Sequence, residues 1–150
     1  MSRFERTGIR DLTYSNWHRQ FCPERTAMID VDGLEYCRRC RMPLALIETA
    51  LDYGQSIKPT TALEQLAVAA NVPAFCVLYA KNGEDCDVDR RKRCVRPGCS
   101  HGIGSFRVRR IRPNPTPFNP WTVEAFGNFL INMHDGHEAT VCQVVIGGAL

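Results

Sequence analysis

Met28-Ile29-Asp30-Val31-Asp32 and Leu46-Ile47-Glu48-Thr49-Ala50 decide the reading of this chain, with Glu48 sixteen residues after Asp32. In a strand, residues two apart share a face, so Asp30 and Asp32 point one way while Ile29 and Val31 point the other. Glu48 sits in an apolar strand of its own, residues 43 to 51. A polar turn from Arg38 to Met42 folds the second strand back on the first. With that turn centred on Cys40, Asp32 and Glu48 are equidistant from it and fall opposite each other. Clustered carboxylates repel, and holding them together is costly unless a cation or a proton compensates. Two exposed carboxylates on an edge strand are the plain alternative.

The chain of 150 residues is long enough for one domain, 1–150, with a real core. Its apolar content is 44%, and no run of about 18 apolar residues predicts a membrane helix. The charged start Met1-Ser2-Arg3-Phe4-Glu5-Arg6 lacks an apolar signal core, which points to the cytoplasm. Eight cysteines in that setting favour metal binding over disulfides, with an extracellular disulfide framework as the alternative. The net charge of +3 conceals an asymmetry: residues 87 to 112 carry +7, and the rest of the chain carries −4. A basic segment beside an acidic remainder suggests a polyanionic partner such as nucleic acid, against the alternative of a solvated basic loop.

Outward from the acidic strands, the elements alternate. Tyr14, Trp17, His18 and Phe21 form a helical stripe that Pro23 ends. Residues 26 to 36 and 43 to 51 read as strands. A helix follows over residues 61 to 71, with Thr61 and Glu64 as a capping box. Its expected buried face is Leu63, Leu66, Ala67 and Ala70, and Asn71 with Pro73 stops it. Phe75 to Ala80 is apolar on both faces, as in a central strand covered on two sides. Phe106 to Arg109 alternates, with arginines on the open face. Pro113, Pro115, Pro117 and Pro120 suggest an extended connector. Thr122 can cap a last helix with Val123, Phe126, Leu130 and Met133 on one side, and residues 139 to 146 suggest a final strand. The result is an α/β fold with a mixed central sheet flanked by helices. Within it, residues 82–103 form a cysteine-rich zinc-loop insertion.

Cys37-Arg38-Arg39-Cys40 has the spacing of a zinc knuckle. Cys22 is a candidate third ligand, and Cys142, His18 and His137 are candidates for the fourth. A second set lies in the insertion: Cys86, Cys94, Cys99 and His101, four ligands within sixteen residues. Structural zinc would order a segment too poor in apolar residues to fold on its own core. Cys76, in the central strand, reads as a core residue. Arg90, Arg91, Lys92 and Arg93 sit inside the insertion, and Arg107, Arg109, Arg110 and Arg112 extend the basic patch. Such side chains bind phosphates without reading sequence.

The arrangement resembles the PD-(D/E)xK nuclease superfamily, in particular its small phage and actinobacterial members. The resemblance spans roughly residues 13 to 133. It rests on Trp17-His18-Arg19, Ile29-Asp30-Val31-Asp32, Ala45-Leu46-Ile47-Glu48 and the helix–strand pair from Thr61 to Tyr79. It implies a restriction-endonuclease-like core and hydrolysis of DNA phosphodiester bonds through Mg²⁺ or Mn²⁺. Asp32 and Glu48 would be the metal carboxylates, with the Thr49 carbonyl as a further ligand and Asp30, on the same face as Asp32, as a candidate second ligand. The family lysine two residues after Glu is here Ala50. Lys58, just before the helix, is the candidate replacement. His18 is a candidate base, though a histidine beside Trp17 is also a common packed residue. The alternative is an inactive, zinc-stabilised nucleic-acid-binding or phage assembly protein on a degenerate nuclease fold. A phage-encoded protein would work in the host cytoplasm, and a homodimer is one arrangement open to it.

Overall fold

The computed structural model describes Gln20, residues 31–83 and residues 102–142. Every described strand and helix lies in one compact unit, Val31–Cys86 with Cys94–Leu150. The other unit, Met1–Asp30 with Asp87–Arg93, lies outside the described residues except for Gln20.

Five strands form one sheet in chain order: β1 (Gly33–Tyr36), β2 (Pro43–Leu51), β3 (Ala74–Lys81), β4 (Ile103–Arg112) and β5 (Asn119–Trp121). The sheet is mixed. β1 and β2 form an antiparallel hairpin, β2 and β3 run parallel, and β3–β4 and β4–β5 are antiparallel. The parallel pair is joined through helix α1 (Thr61–Ala70), and helix α2 (Val123–Ala139) follows β5. This is the mixed α/β sheet flanked by helices that the alternating pattern implied.

Each face of the sheet buries one helix, which explains why β3 is apolar throughout. On one face Leu46, Ala74, Cys76, Leu78 and Ile111 pack with Leu63 and Ala67 of α1. On the other, Ala45, Ile47, Phe75, Val77 and Val108 pack with Phe126 of α2. Phe129 meets Phe75 edge-on at 5.2 Å and Trp121 at 5.4 Å, a favourable geometry for aromatic pairs.

Several boundaries differ from the sequence reading. Of the first strand, expected over 26 to 36, only Gly33–Tyr36 is extended among the described residues. Asp32 precedes the strand. Thr60, not Thr61, caps α1, and no side chain caps it. Thr61 is thereby the first helical residue, so the Thr61–Glu64 capping box does not form. The helix meets the sheet along Leu63 and Ala67, one seam of i and i+4 spacing; Leu66 on its flank and Ala70 in its last turn are exposed. Asn71 stops α1 in the left-handed region at φ 53°. The Asn71 amide donates to the Val68 carbonyl and the Val72 amide to that of Ala67, a Schellman closure.

Thr122 caps α2, its hydroxyl accepting from the Ala125 amide at 3.0 Å. The proline-rich connector is not simply extended. Thr116 bonds back to Arg110 through its amide and its hydroxyl, and β5 returns along β4. The final strand is also absent among the described residues. α2 continues to Ala139, and Val141 and Cys142 are helical. The Thr140 hydroxyl donates to the Gly136 carbonyl four residues back, a helical contact that outweighs the β-preference of Val141.

Candidate functional site

Two groups of metal-binding residue types lie on the β1–β2 hairpin, one at each end. The first is at the turn. Cys37 leaves β1, its amide donates to the Met42 carbonyl and its carbonyl accepts from the Arg41 amide. Arg41 takes the left-handed conformation at φ 65°. This tight turn aims the Cys40 and Arg39 amides at the Cys37 sulfur. The Cys40 amide is the larger influence, and together they hold the Cys37 thiol below its ordinary range.

Helix α2 supplies the other half. Sγ of Cys37 lies 3.8 Å from Sγ of Cys142, and Sγ of Cys40 lies 3.1 Å from Nε2 of His137. The ligand atoms of Cys37, Cys40, His137 and Cys142 all fall within 4.8 Å of one another. Zinc–sulfur bonds of about 2.3 Å in a tetrahedron place sulfurs about 3.8 Å apart, so this Cys₃His set could hold a metal such as zinc. Cys37 and Cys142 are buried, while Cys40 and His137 are half-buried. Burial, then the adjacent Cys37 and Cys40 sulfurs, push the Cys142 thiol up to about 11. The described cysteines are free thiols.

Cys37 and Cys40 thus meet Cys142 and His137 together, and the described residues complete four ligands without Cys22. The sequence carried a signal for this. His137 lies four residues after Met133, so it continues the stripe Phe126–Leu130–Met133, and Met133 packs against the cysteines. Beside them, His134 Nε2 meets Glu35 Oε2 at 2.9 Å.

The second group lies at the open end of the hairpin. The register Gly33↔Ile47 brings Asp32 next to Glu48 and Thr49. Asp32 Oδ2 accepts from the Thr49 amide at 2.8 Å and from its hydroxyl at 3.1 Å. Lys58 reaches back from the β2–α1 loop. Its ammonium lies 2.6 Å from Glu48 Oε1 and donates to the Thr49 carbonyl at 2.6 Å. Both side chains are about four-fifths covered, at 22% and 21% exposure. Lys58 thus reaches Glu48 from the loop, while position 50 of β2 is alanine.

Glu48, Cys76 and Arg109 are cross-strand neighbours on β2, β3 and β4. Cys76 is fully buried in the α1-side core, as its place in β3 implied, and burial raises its thiol pKa. The positive charges of Lys58 and Arg109 oppose that rise, and the negative charges of Glu48 and Asp32 add to it.

Arg107 faces the same way and is engaged through its Nε and Nη2. It holds Asp52 through two bonds of 2.7 and 2.6 Å and donates to the Gln55 carbonyl at 2.9 Å. Those bonds, and then the Gly54 amide, lower the Asp52 carboxyl to about 2. They raise the Arg107 pKa in turn. Sequence reasoning did not single out Asp52, although an acid just past the end of β2 could be sought opposite an arginine of β4.

The remaining candidates lie outside the described residues: Asp30, His18, Cys22, Arg90, Arg91, Lys92, Arg93, Cys86, Cys94, Cys99 and His101. Among the described residues, no helix is long and apolar enough to cross a membrane. Comparison with known proteins returned no matching family model, curated protein or solved structure.

Proposed function

We propose that the protein is a metal-dependent nuclease of PD-(D/E)xK type that hydrolyses DNA phosphodiester bonds, with a structural zinc. One observation carries this reading: Lys58 meets Glu48 at 2.6 Å although position 50 is alanine. The β1–β2 hairpin, the α1 crossover and the parallel β3 follow the order expected of a restriction-endonuclease-like core.

Asp32, Glu48 and the Thr49 carbonyl are hard oxygen donors, the set that Mg²⁺ or Mn²⁺ takes. A metal there would neutralise phosphoryl charge and acidify a bound water. The protein's own contribution is positional. Asp32 is fixed through Thr49, and Lys58 holds the Glu48 side chain in place at 2.6 Å. The third N–H of the Lys58 ammonium can donate a hydrogen bond to an incoming water or phosphoryl oxygen.

The zinc part of the proposal rests on the ligand atoms of Cys37, Cys40, His137 and Cys142 lying within 4.8 Å of one another. Four protein ligands leave no open position, which marks a structural site.

The test is cleavage of single-stranded, duplex and branched DNA with Mg²⁺, Mn²⁺ or EDTA. Cleavage that requires metal and falls about 100-fold or more in Glu48→Gln is the expected result. A second reading has its own observation. Lys58 already neutralises Glu48 and satisfies the Thr49 carbonyl, so the acidic end is compensated without a divalent ion. Metal-independent DNA binding with no cleavage would establish that reading of a non-catalytic binding protein.

A further inference from the structure

The loop between β2 and α1 is held down along its backbone and left bare at two of its side chains. The Asp52 amide donates to the Tyr79 carbonyl, and the Asp52 carboxylate takes two bonds from Arg107 at 2.7 and 2.6 Å. Arg107 also donates to the Gln55 carbonyl at 2.9 Å. Within the loop, the Tyr53 amide donates to Gln55 Oε1, the Gly54 amide to Asp52 Oδ1, and Gln55 Nε2 to the Leu51 carbonyl. Gly54 takes the left-handed conformation at φ 81° that this turn requires. Lys58 ties the far side of the loop back to β2 through Glu48 and the Thr49 carbonyl.

Tyr53 and Ile57 take no packing from this order. They are 82% and 75% exposed, the most exposed large apolar side chains among the described residues. No hydrogen bond or ring contact engages the Tyr53 side chain among the described residues. An isolated apolar residue on a surface is ordinary. Here the backbone beneath the ring is fixed, at a cost in conformational entropy that the ring does not offset by burial. The place matters too. Ile57 directly precedes Lys58, and Glu48 lies three residues before the end of β2 at Leu51, about 10 Å along the strand. Bases follow one another at about 3.4 Å along a stacked strand, so a nucleotide within about three of a phosphate at Glu48 can reach Tyr53.

We propose that Tyr53 is a stacking platform for an unpaired DNA base beside the Glu48–Lys58 pair, with Ile57 as the apolar wall next to it, so that the substrate is DNA with a single-stranded segment. Every base has a π-face, and an aromatic ring held on a rigid loop takes that face without reading sequence. In an intact duplex the faces of interior bases are already covered by their neighbours, and only an unpaired base offers one to the ring. This deepens the nuclease reading and rests on it for the identity of the ligand.

The experiment measures binding in EDTA, where no cleavage intervenes. Anisotropy of a labelled mixed-sequence single strand, and of its blunt duplex, is followed across a salt series for the full chain. The proteins compared are wild type, Tyr53→Ala, Tyr53→Phe and, as a control, Ile131→Ala on the exposed side of α2, with thermal melting and sedimentation alongside. Tyr53→Ala should weaken single-strand binding about tenfold and leave the slope of log affinity against log salt unchanged, because stacking releases no counterions. Its duplex binding should stay within about twofold of wild type, and its melting temperature should not move. Tyr53→Phe and Ile131→Ala should bind as wild type does. Wild-type single-strand affinity in Tyr53→Ala, an equal loss on the duplex, or a loss in Tyr53→Phe as large as in Tyr53→Ala would each overturn the proposal. So would a dimer that Tyr53→Ala dissolves while DNA binding is unchanged, since the ring would then serve a second copy of the chain. Tyr53-dependent single-strand binding with no cleavage in Mg²⁺ would keep the platform and remove the nuclease. Glu48-dependent cleavage of intact duplex, with Tyr53→Ala indifferent on every substrate, would do the reverse.

Discussion

The two ends of the β1–β2 hairpin are built from opposite chemistries. The turn gathers three sulfurs and an imidazole, half of them buried, and joins positions 105 residues apart. The open end, about 16 Å away along the strand, gathers two carboxylates, a carbonyl and an ammonium from within one stretch of 27 residues, and it stays partly open to solvent. Soft, buried, long-range ligands suit a closed zinc site that holds elements together. Hard, accessible, local ligands suit an exchangeable Mg²⁺ and a substrate. One hairpin thus separates what would staple the fold from what would do chemistry.

Breaking the turn should have the largest effect. Purified protein should carry one zinc for the Cys37–Cys40–His137–Cys142 set, and a second if the Cys86–His101 set also binds. Structural zinc contributes about 10–16 kcal/mol in isolated zinc-finger peptides. The sheet here has its own core, so Cys142→Ser or chelation should leave a folded sheet. Its melting temperature should fall by about 10 °C or more, with α2 loosened from the hairpin. Protein that contains no metal and melts as Cys142→Ser does would remove the staple from this end.

Breaking the open end should leave stability and zinc content nearly unchanged and act on catalysis. Lys58→Ala should lower metal-dependent cleavage about 100-fold, with Lys58→Arg intermediate. Single-turnover rates at saturating metal would measure this. Undiminished rates in Lys58→Ala would show that the Glu48–Lys58 pair only compensates charge, and that the two ends differ less than their geometry suggests.

The unequal legibility of the two ends follows from contact range. The carboxylate end was readable because a hairpin register is local: the symmetry of Asp32 and Glu48 about Cys40 matches the observed Gly33↔Ile47 pairing. Strand β2 and the apolar β3 were readable for the same reason, since burial on both faces leaves its mark on every residue. Lys58 could be proposed from its position before α1, but nothing in a linear pattern fixes how a loop lysine points. The thiolate end was only half readable. Cys37 and Cys40 declare themselves by spacing, whereas Cys142 and His137 join them only through the packing of α2. The expected strand over 139 to 146 hid that approach, because Val141 favours strands locally and helical continuity through Val141 and Cys142 overrides that preference. Helix caps were misplaced by one residue at Thr60 and Thr61, where two adjacent threonines offer the same side chain and only backbone geometry chooses.

The smallest expected effect concerns the clamp beside the open end. Asp52 and Arg107 tie the start of the β2–α1 loop, which carries Lys58, to β4. The Asp52 carboxyl is held at about 2 against an ordinary 3.8, chiefly by its bonds to Arg107. A carboxyl depressed on folding contributes stability that is fully present above its unfolded pKa and is lost as pH falls through the folded value. Asp52→Asn should therefore cost about 1 kcal/mol at pH 5 to 7, a few degrees of melting temperature. The difference from wild type should close between about pH 4 and pH 2 as Asp52 itself protonates. Because the clamp sits at the open end, the variant should reduce cleavage modestly and leave zinc content alone. Melting curves that differ by the same amount at pH 2.5 and pH 6 would show that the ion pair contributes nothing. The loop would then be held by the Gln55 bonds to Tyr53 and Leu51 instead.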